Sequence, residues 1–432
     1  VNFFKMKQIF QRNQILKDKF SNAILLSISQ IISLIFNFLA ILIIARENTL
    51  ENFGVFSICL TIYNILAIFS ELGIYGNIGT SLSKNKFNEN DLFGFSILVS
   101  LVLSLVFLIS LSIIYPIINI FYNDSLKLLI LNSGIISFSF LFAYALPFIM
   151  TGSEKIKIFS LFNFSNNFIY FIFVIFQTYI LKDKNISSYI NYKSLSIIIG
   201  IILVFLILKP RFKNQKVIFK NIYSDWKKFG FHCFLGRLYN STIPFLLVLL
   251  VGYILSEKSA AIFRVSFNFI NPLLLVFLSF TQTMAKKVSN LPSIPKNTFY
   301  SNILISLFLV LGSAIGGFIL IEYFLGEKYK SSLPLFLIML ICCFLYGNYR
   351  MYYEWLVLNG HGKMVMNASR FAFLFIALFS IPLMKIFDIY GAPIALVGSF
   401  SVCTIFVFYY YRSVLKEVNF AKKPELLDSF NK

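Results

Sequence analysis

The sequence predicts an all-α integral membrane protein: about twelve transmembrane helices in two six-helix lobes, related by a parallel pseudo-repeat, with a central cavity. Three observations carry this expectation. First, 58% of the 432 residues are hydrophobic and only 13% are charged, too little polar surface to clothe a water-soluble fold. Second, apolar runs of about 18 residues or more recur from end to end, each long enough to cross a bilayer as a helix. Third, features of the first half return in the second at an offset near 207 residues.

The elements follow in order. The first nineteen residues are basic and polar with no small-residue cleavage site after them, so the first apolar run is expected to stay as a span. Reading apolar runs between charged turns places spans at 21–45, 53–79, 92–121, 127–151, 157–181 and 187–208. The longest polar segment, KPRFKNQKVIFKNIYSDWKK at 209–228, follows. Six more spans are expected at 228–252, 258–285, 299–322, 333–358, 364–385 and 391–412. The chain thus divides into an N-terminal lobe (1–208), a basic linker (209–227) and a C-terminal lobe with a basic tail (228–432).

Charge sets the orientation. The net charge is +20. Of the 38 Lys and Arg, 25 lie in the two termini and the loops near 84, 155, 209–228, 286–296 and 363, nine in the other loops, and four Arg inside spans. The richer side is expected to be cytoplasmic, with both termini there. The positive balance therefore reads as membrane topology rather than as a nucleic-acid surface, and no nucleic acid is expected as a partner.

The repeat can be followed through several features. FIMTGSEKIK at 148 and LVLNGHGKMV at 356 both leave an apolar run, turn at a Gly and place a Lys three residues later: Gly152 with Lys155, Gly360 with Lys363. ENFGVFSICLTIYNIL at 51–66 falls on KSAAIFRVSFNFINPL at 258–273, and YNDSLKLL at 122–129 lies opposite YKSSLPLF at 329–336. Six spans per half make both halves enter the membrane in the same direction, a parallel repeat.

Polar residues recur at helical spacing inside the spans. Span 2 carries Ser57, Thr61 and Asn64, with Glu71 seven further on; span 8 carries Arg264, Asn268 and Asn271, extended by Ser279 and Gln282. Span 1 carries Gln30, Ser33 and Asn37; span 7 carries Arg237, Asn240 and Pro244. A polar face within a bilayer must meet protein or water. A single Ser or Thr there is ordinarily interhelical glue. Four matched stripes, two of them bearing Arg, point instead to a hydrated cavity between the halves, lined by spans 1, 2, 7 and 8. The four Arg within spans are Arg237, Arg264, Arg350 and Arg370. Arg237 and Arg264 sit roughly 10–16 Å from their entry points, too deep for easy snorkelling. Glu354 stands four residues from Arg350 and could neutralise it. Arg370 is near enough to a span end to reach headgroups. Acids are scarcer: Glu71 and Glu354 are the candidates for coupling. A net positive cavity of low dielectric is an anion site, and guanidinium forks suit phosphate.

Other chemistries lack their motifs. There is no G-x-x-x-x-G-K-[ST] loop, so ATP hydrolysis is not expected. Cys59, Cys233, Cys342, Cys343 and Cys403 all lie in apolar runs without metal-ligand spacing, as small hydrophobes do. His232 and His361 form no metal pattern. No catalytic residue, metal or cofactor is expected.

ARENTLENFGVFSICLTIYNILAIFSELGIYGNIGTSLSK at 45–84 resembles the first-to-third-span region of bacterial polysaccharide flippases, through Phe53, Gly54, Phe56 and Ser57, then Glu71, Leu72 and Gly73. FLGEKYKSSLPLF at 324–336 and the two G-x-x-K turns are similar to that family as well. The resemblance is to the O-antigen or Wzx-type branch of the multidrug/oligosaccharidyl-lipid/polysaccharide exporter superfamily, and it covers most of the chain. It implies two six-helix lobes, a cationic cavity and alternating access in a bacterial inner membrane. The implied substrate is an undecaprenyl-pyrophosphate-linked oligosaccharide, with membrane lipids and other polysaccharide assembly proteins as partners. The first lobe departs from a symmetric clamp, having no Arg inside its spans. A drug exporter of the same superfamily, a membrane polymerase or ligase of surface glycans, and an uncoupled scramblase are the alternatives.

Overall fold

A computed structural model of the chain describes residues 32–122, 124–153, 155–289 and 293–430. Among them every regular element is helical, as a chain without water to satisfy its backbone requires. Among the described residues, ten helical stretches are long and apolar enough to cross a membrane. The last, Gly362–Lys416, contains two expected spans, 364–385 and 391–412, parted by the 3₁₀ turn Asp388–Tyr390. The expected span 21–45 is described from residue 32 on, as helix α1 at 32–47. The protein is a multi-pass membrane protein.

It forms two compact units: Val1–Thr49 with Ile62–Phe231, and Leu50–Thr61 with His232–Lys432. The first contains α1, the second half of α2 (Leu50–Ser70), α3 (Ile74–Ser83), α4 (Glu89–Phe121) and α5 (Asp124–Ser133). It continues through α6 (Ser139–Gly152), α7 (Ile156–Ile175), α8 (Ile186–Leu208) and α9 (Gln215–Asp225). Here α3 packs on α6, and α7 on α8. On α4 the exposed residues Leu101, Val102, Leu105, Ile109 and Ile113 recur at helical spacing, the face a bilayer covers without cost.

Two expectations are corrected within this unit. The span expected at 53–79 is two helices. After Glu71 the chain turns through Leu72 (φ 49°) and Gly73 (φ 82°) before α3 begins. Leu72 O accepts a 2.6 Å bond from Trp226 Nε1. The span expected at 127–151 is also broken, at Gly134, into α5, a 3₁₀ turn (Ile135–Phe138) and α6. Within the segment 209–227 the chain forms the helix α9. α9 buries Ile218 and Ile222, Lys86 pairs with Asp225 at 2.5 Å, and Arg211 N donates to Asn90 O at 2.8 Å.

The second unit holds the first half of α2 with α10 (Phe231–Ile254), α11 (Glu257–Ser289) and α12 (Lys296–Ile319). It also holds α13 (Ser332–Leu358), α14 (Gly362–Phe387) and α15 (Gly391–Phe430). α11 packs on α13, and α14 and α13 on α15. Phe263, Phe277, Tyr329 and Phe336 are among its fully buried rings. Ser266 Oγ ties α11 to α13 by donating to Ser332 O at 2.8 Å. Glu51 of α2 pairs with Lys258 at 3.0 Å. A Cβ on Gly54 would stand 2.0 Å from Glu257 O, so only glycine lets these two helix starts lie so close.

Candidate functional site

In the second unit the span 8 stripe becomes one face of α11. Arg264 is seven residues into the helix, about 10 Å from its start. Its Nη1 is buried and has no hydrogen-bond partner among the described residues, and the same holds for Asn268 Nδ2, one turn on. Two polar donors on one face, both without an acceptor, make a site that an anion would complete.

Asn271 lies one turn further and lines a cavity of about 210 Å³ within this unit. Asn240, Ser241 and Pro244 of α10, Phe267 of α11, Tyr346 of α13 and Phe400 of α15 share its wall, with leucines of α11. Stripe residues of spans 7 and 8 therefore meet at a real cavity. Arg237 is half-buried on α10.

Arg350 is differently placed. Its Nη2 pairs with Glu354 Oε1, and its guanidinium lies 4.5 Å from the Tyr353 ring centroid and 5.7 Å from that of Tyr346. Arg350 and Glu354 are thus partners within α13. Arg370 is exposed on α14.

The α2 stripe is turned inward. Ser57 Oγ donates to Phe53 O and Thr61 Oγ1 to Ser57 O, both at 2.7 Å. Both side chains are buried, and both hydroxyls are taken by their own helix, as Ser and Thr in helices often are. Asn64 is half-buried, and Glu71 is buried at the end of α2. Gln30 lies outside the described residues.

In the first unit Asn37 brings a residue the sequence reading missed. Lys193 Nζ donates to Asn37 Oδ1 at 2.9 Å and to Asn167 Oδ1 at 2.8 Å, and sits 4.5 Å from the Tyr170 ring centroid. Asn167 Nδ2 in turn donates to Ser33 Oγ at 2.7 Å, and Ser33 to Asn163 O at 2.5 Å. No carboxylate pairs with Lys193 among the described residues. Asn185 caps α8 by accepting from Ser187 N, which puts Lys193 two turns inside the helix. By charge count it falls among the nine basic residues of the other loops. The polar run Asn163, Asn166, Asn167 in span 5 was the available signal.

Among the described residues no group of three or more His, Cys, Asp or Glu could hold a metal ion. Cys59, Cys342, Cys343 and Cys403 are buried free thiols.

A family model described as polysaccharide biosynthesis protein matches residues 20–288, more than half of the chain. No curated protein matches. Three solved structures share the fold. One is an inward-facing multidrug resistance MATE family transporter of the MOP superfamily, at 14% identity and TM-score 0.70, covering 92% of this chain and 99% of that one. Another is the lipid II flippase MurJ in an inward closed conformation, at 17% identity and TM-score 0.69, covering 90% and 87%. The third is a MOP superfamily transporter from Pyrococcus furiosus described as having a binding pocket of reverse polarity, at 16% identity and TM-score 0.65, covering 92% and 96%.

Proposed function

We propose, because the chain belongs to the family of polysaccharide biosynthesis proteins, that it is a flippase for lipid-linked oligosaccharides. It carries undecaprenyl-pyrophosphate-linked repeat units from the cytoplasmic to the outer leaflet of a bacterial inner membrane, by alternating access between two lobes. The observation that carries this reading is Arg264, with Nη1 buried and unmatched beside the unmatched amide of Asn268. An intramembrane guanidinium is expensive to insert and persists where it serves a function. Its fork matches a phosphate, the only strongly charged part of such a substrate. Arg237 belongs to the same reading, on the neighbouring helix of the stripe. The shared fold with a lipid II flippase supports a lipid-linked cargo. The chain is a transporter on this reading and not an enzyme, and both termini lie in the cytoplasm.

The test has two steps. Deleting the gene in its host should leave intact repeat units on the cytoplasmic leaflet, by leaflet-selective labelling, and remove the surface glycan. Restoring the gene with Arg264→Gln should leave protein level normal but weaken head-group binding by about 2 kcal/mol or more, roughly thirtyfold. Normal export by that variant would remove Arg264 from the site. Single units that reach the outer face unjoined after deletion would instead identify a polymerase.

A further inference from the structure

We propose that the cavity beside Asn271 is a subsite for one uncharged sugar ring of the carried glycan. This rests on the flippase reading above. Three observations lead to it.

The first is size. A cavity of about 150 Å³ is enough to admit a benzene-sized ring, and this one measures about 210 Å³. It has room for one saturated six-membered ring with its substituents, and not for a chain of them.

The second is the chemistry of the wall. Asn240, Ser241 and Asn271 offer amide and hydroxyl groups, and Phe267, Tyr346 and Phe400 offer rings. A sugar has the same division: hydroxyls around its edge and C–H groups on its faces. A purely apolar occupant, such as an isoprenoid segment, would leave three polar side chains without partners, a penalty that apolar contact does not remove. An anion fits no better. No Lys, Arg or His is among its lining residues, and the guanidinium beside Tyr346, that of Arg350, is neutralised by Glu354.

The third is position. Asn271 is seven residues along α11 from Arg264, on the same face, so the two are about 10 Å apart along the axis. A ligand that touches both carries its charge at one end and a neutral polar ring about 10 Å away. A glycan on a phosphate carrier has that order. The stripe thus divides into a charged end, Arg264 with Asn268, and a neutral end, the cavity.

The experiment uses the purified full chain in detergent with two probes. Farnesyl pyrophosphate reports the charged end by titration calorimetry. The methyl glycosides of glucose, galactose and N-acetylglucosamine report the cavity by saturation-transfer NMR. Expected is transfer to at least one glycoside. Ser241→Leu, which fills the cavity, should abolish that transfer while farnesyl pyrophosphate affinity stays at the wild-type value. Asn271→Leu, with the same number and branching of side-chain heavy atoms, should weaken the glycoside about tenfold, the effect of losing one amide contact. Gel filtration and thermal midpoints confirm that each variant is folded, and either variant suffices if the other is not. If farnesyl pyrophosphate binds but no glycoside shows transfer, or transfer survives Ser241→Leu, the subsite is overturned and the flippase reading stands. If Ser241→Leu weakens farnesyl pyrophosphate, the cavity holds the isoprenoid and the proposal is wrong. If farnesyl pyrophosphate fails to bind the wild type, the anion reading falls, and the subsite with it.

Discussion

Lys193 keeps its ammonium group among Asn37, Asn167 and the Tyr170 ring, neutral partners that do not cancel its charge. Two opposing terms meet there. Desolvating an ammonium costs several kcal/mol, while leaving a buried amide oxygen without its donor costs about 1–3 kcal/mol. Lys193→Met removes the first and creates the second twice over, so the thermal midpoint in detergent should move little. Export by the complemented deletion strain should nonetheless collapse, because Lys193 is a half-buried cation that no carboxylate pairs among the described residues. Lys193→Arg should not restore it, since a planar fork cannot reproduce a compact ammonium with three donors. Full export by Lys193→Met would make the cluster structural. The opposite balance holds at Glu354. Its pair with Arg350 is mostly buried, with side chains 12% and 16% exposed. Breaking such a pair leaves an uncompensated charge, a loss of about 3 kcal/mol or more. Glu354→Gln should therefore lower the unfolding midpoint strongly. It should leave the pH profile of transport unchanged, and a shifted profile would show that Glu354 carries a proton.

Elements were legible where hydropathy alone decides, and less so where backbone chemistry does. Long apolar runs on α4, α8 and α12 end near their expected limits because Asp, Glu, Lys and Asn bound them. The breaks at Leu72–Gly73 and Gly134 went unread because apolar character continues across them. Lys193 is hidden in the charge count, which groups it with the outer-loop lysines although it lies inside the expected span 187–208 and inside α8. Arg264 and Asn268 were legible because their spacing is helical. The paired turns are instructive. His361 N bonds Leu356 O, and Gly360 N bonds Val357 O: a Schellman end with Gly360 at φ 85°. Lys155 N bonds Met150 O as His361 N bonds Leu356 O, so the two turns share this one bond. But Gly152 is not the equivalent of Gly360. It sits in the last turn of α6, where a Cβ would meet Gly79 O at 2.3 Å. Gly360→Ala should thus cost about 1–2 kcal/mol through left-handed strain alone. Gly152→Ala should force α3 and α6 apart, at about 1–3 kcal/mol. Pairing it with a change at Gly79 will not relieve the strain, because the obstacle is backbone. Midpoints of the two variants measured in one detergent separate these causes: a larger residue at 360 adds little, and at 152 adds more with each carbon.

At the scale of the whole molecule, the proposed direction of transport depends on which side the basic loops face, and the Lys and Arg bias of the loops sets that orientation. The segment 209–228 carries seven Lys and Arg, and Lys213 within it is exposed. The turn before α13 carries Glu327, whose side chain is 90% exposed. Neutralising pairs there, Lys330 with Glu322 and Glu327 at 3.2 Å each, leave that turn with little net positive charge to hold it inside. The two sites should therefore lie on opposite faces of the membrane. In a chain whose five Cys are replaced by Ala, Glu327→Cys should react with an impermeant maleimide on intact cells. Lys213→Cys should react only after permeabilisation. The reverse pattern would invert the protein in the membrane, and with it the direction in which Arg264 could meet a substrate made in the cytoplasm. Labelling of both from outside would place α9 at the outer face and remove the assignment of loops on which the flippase direction depends.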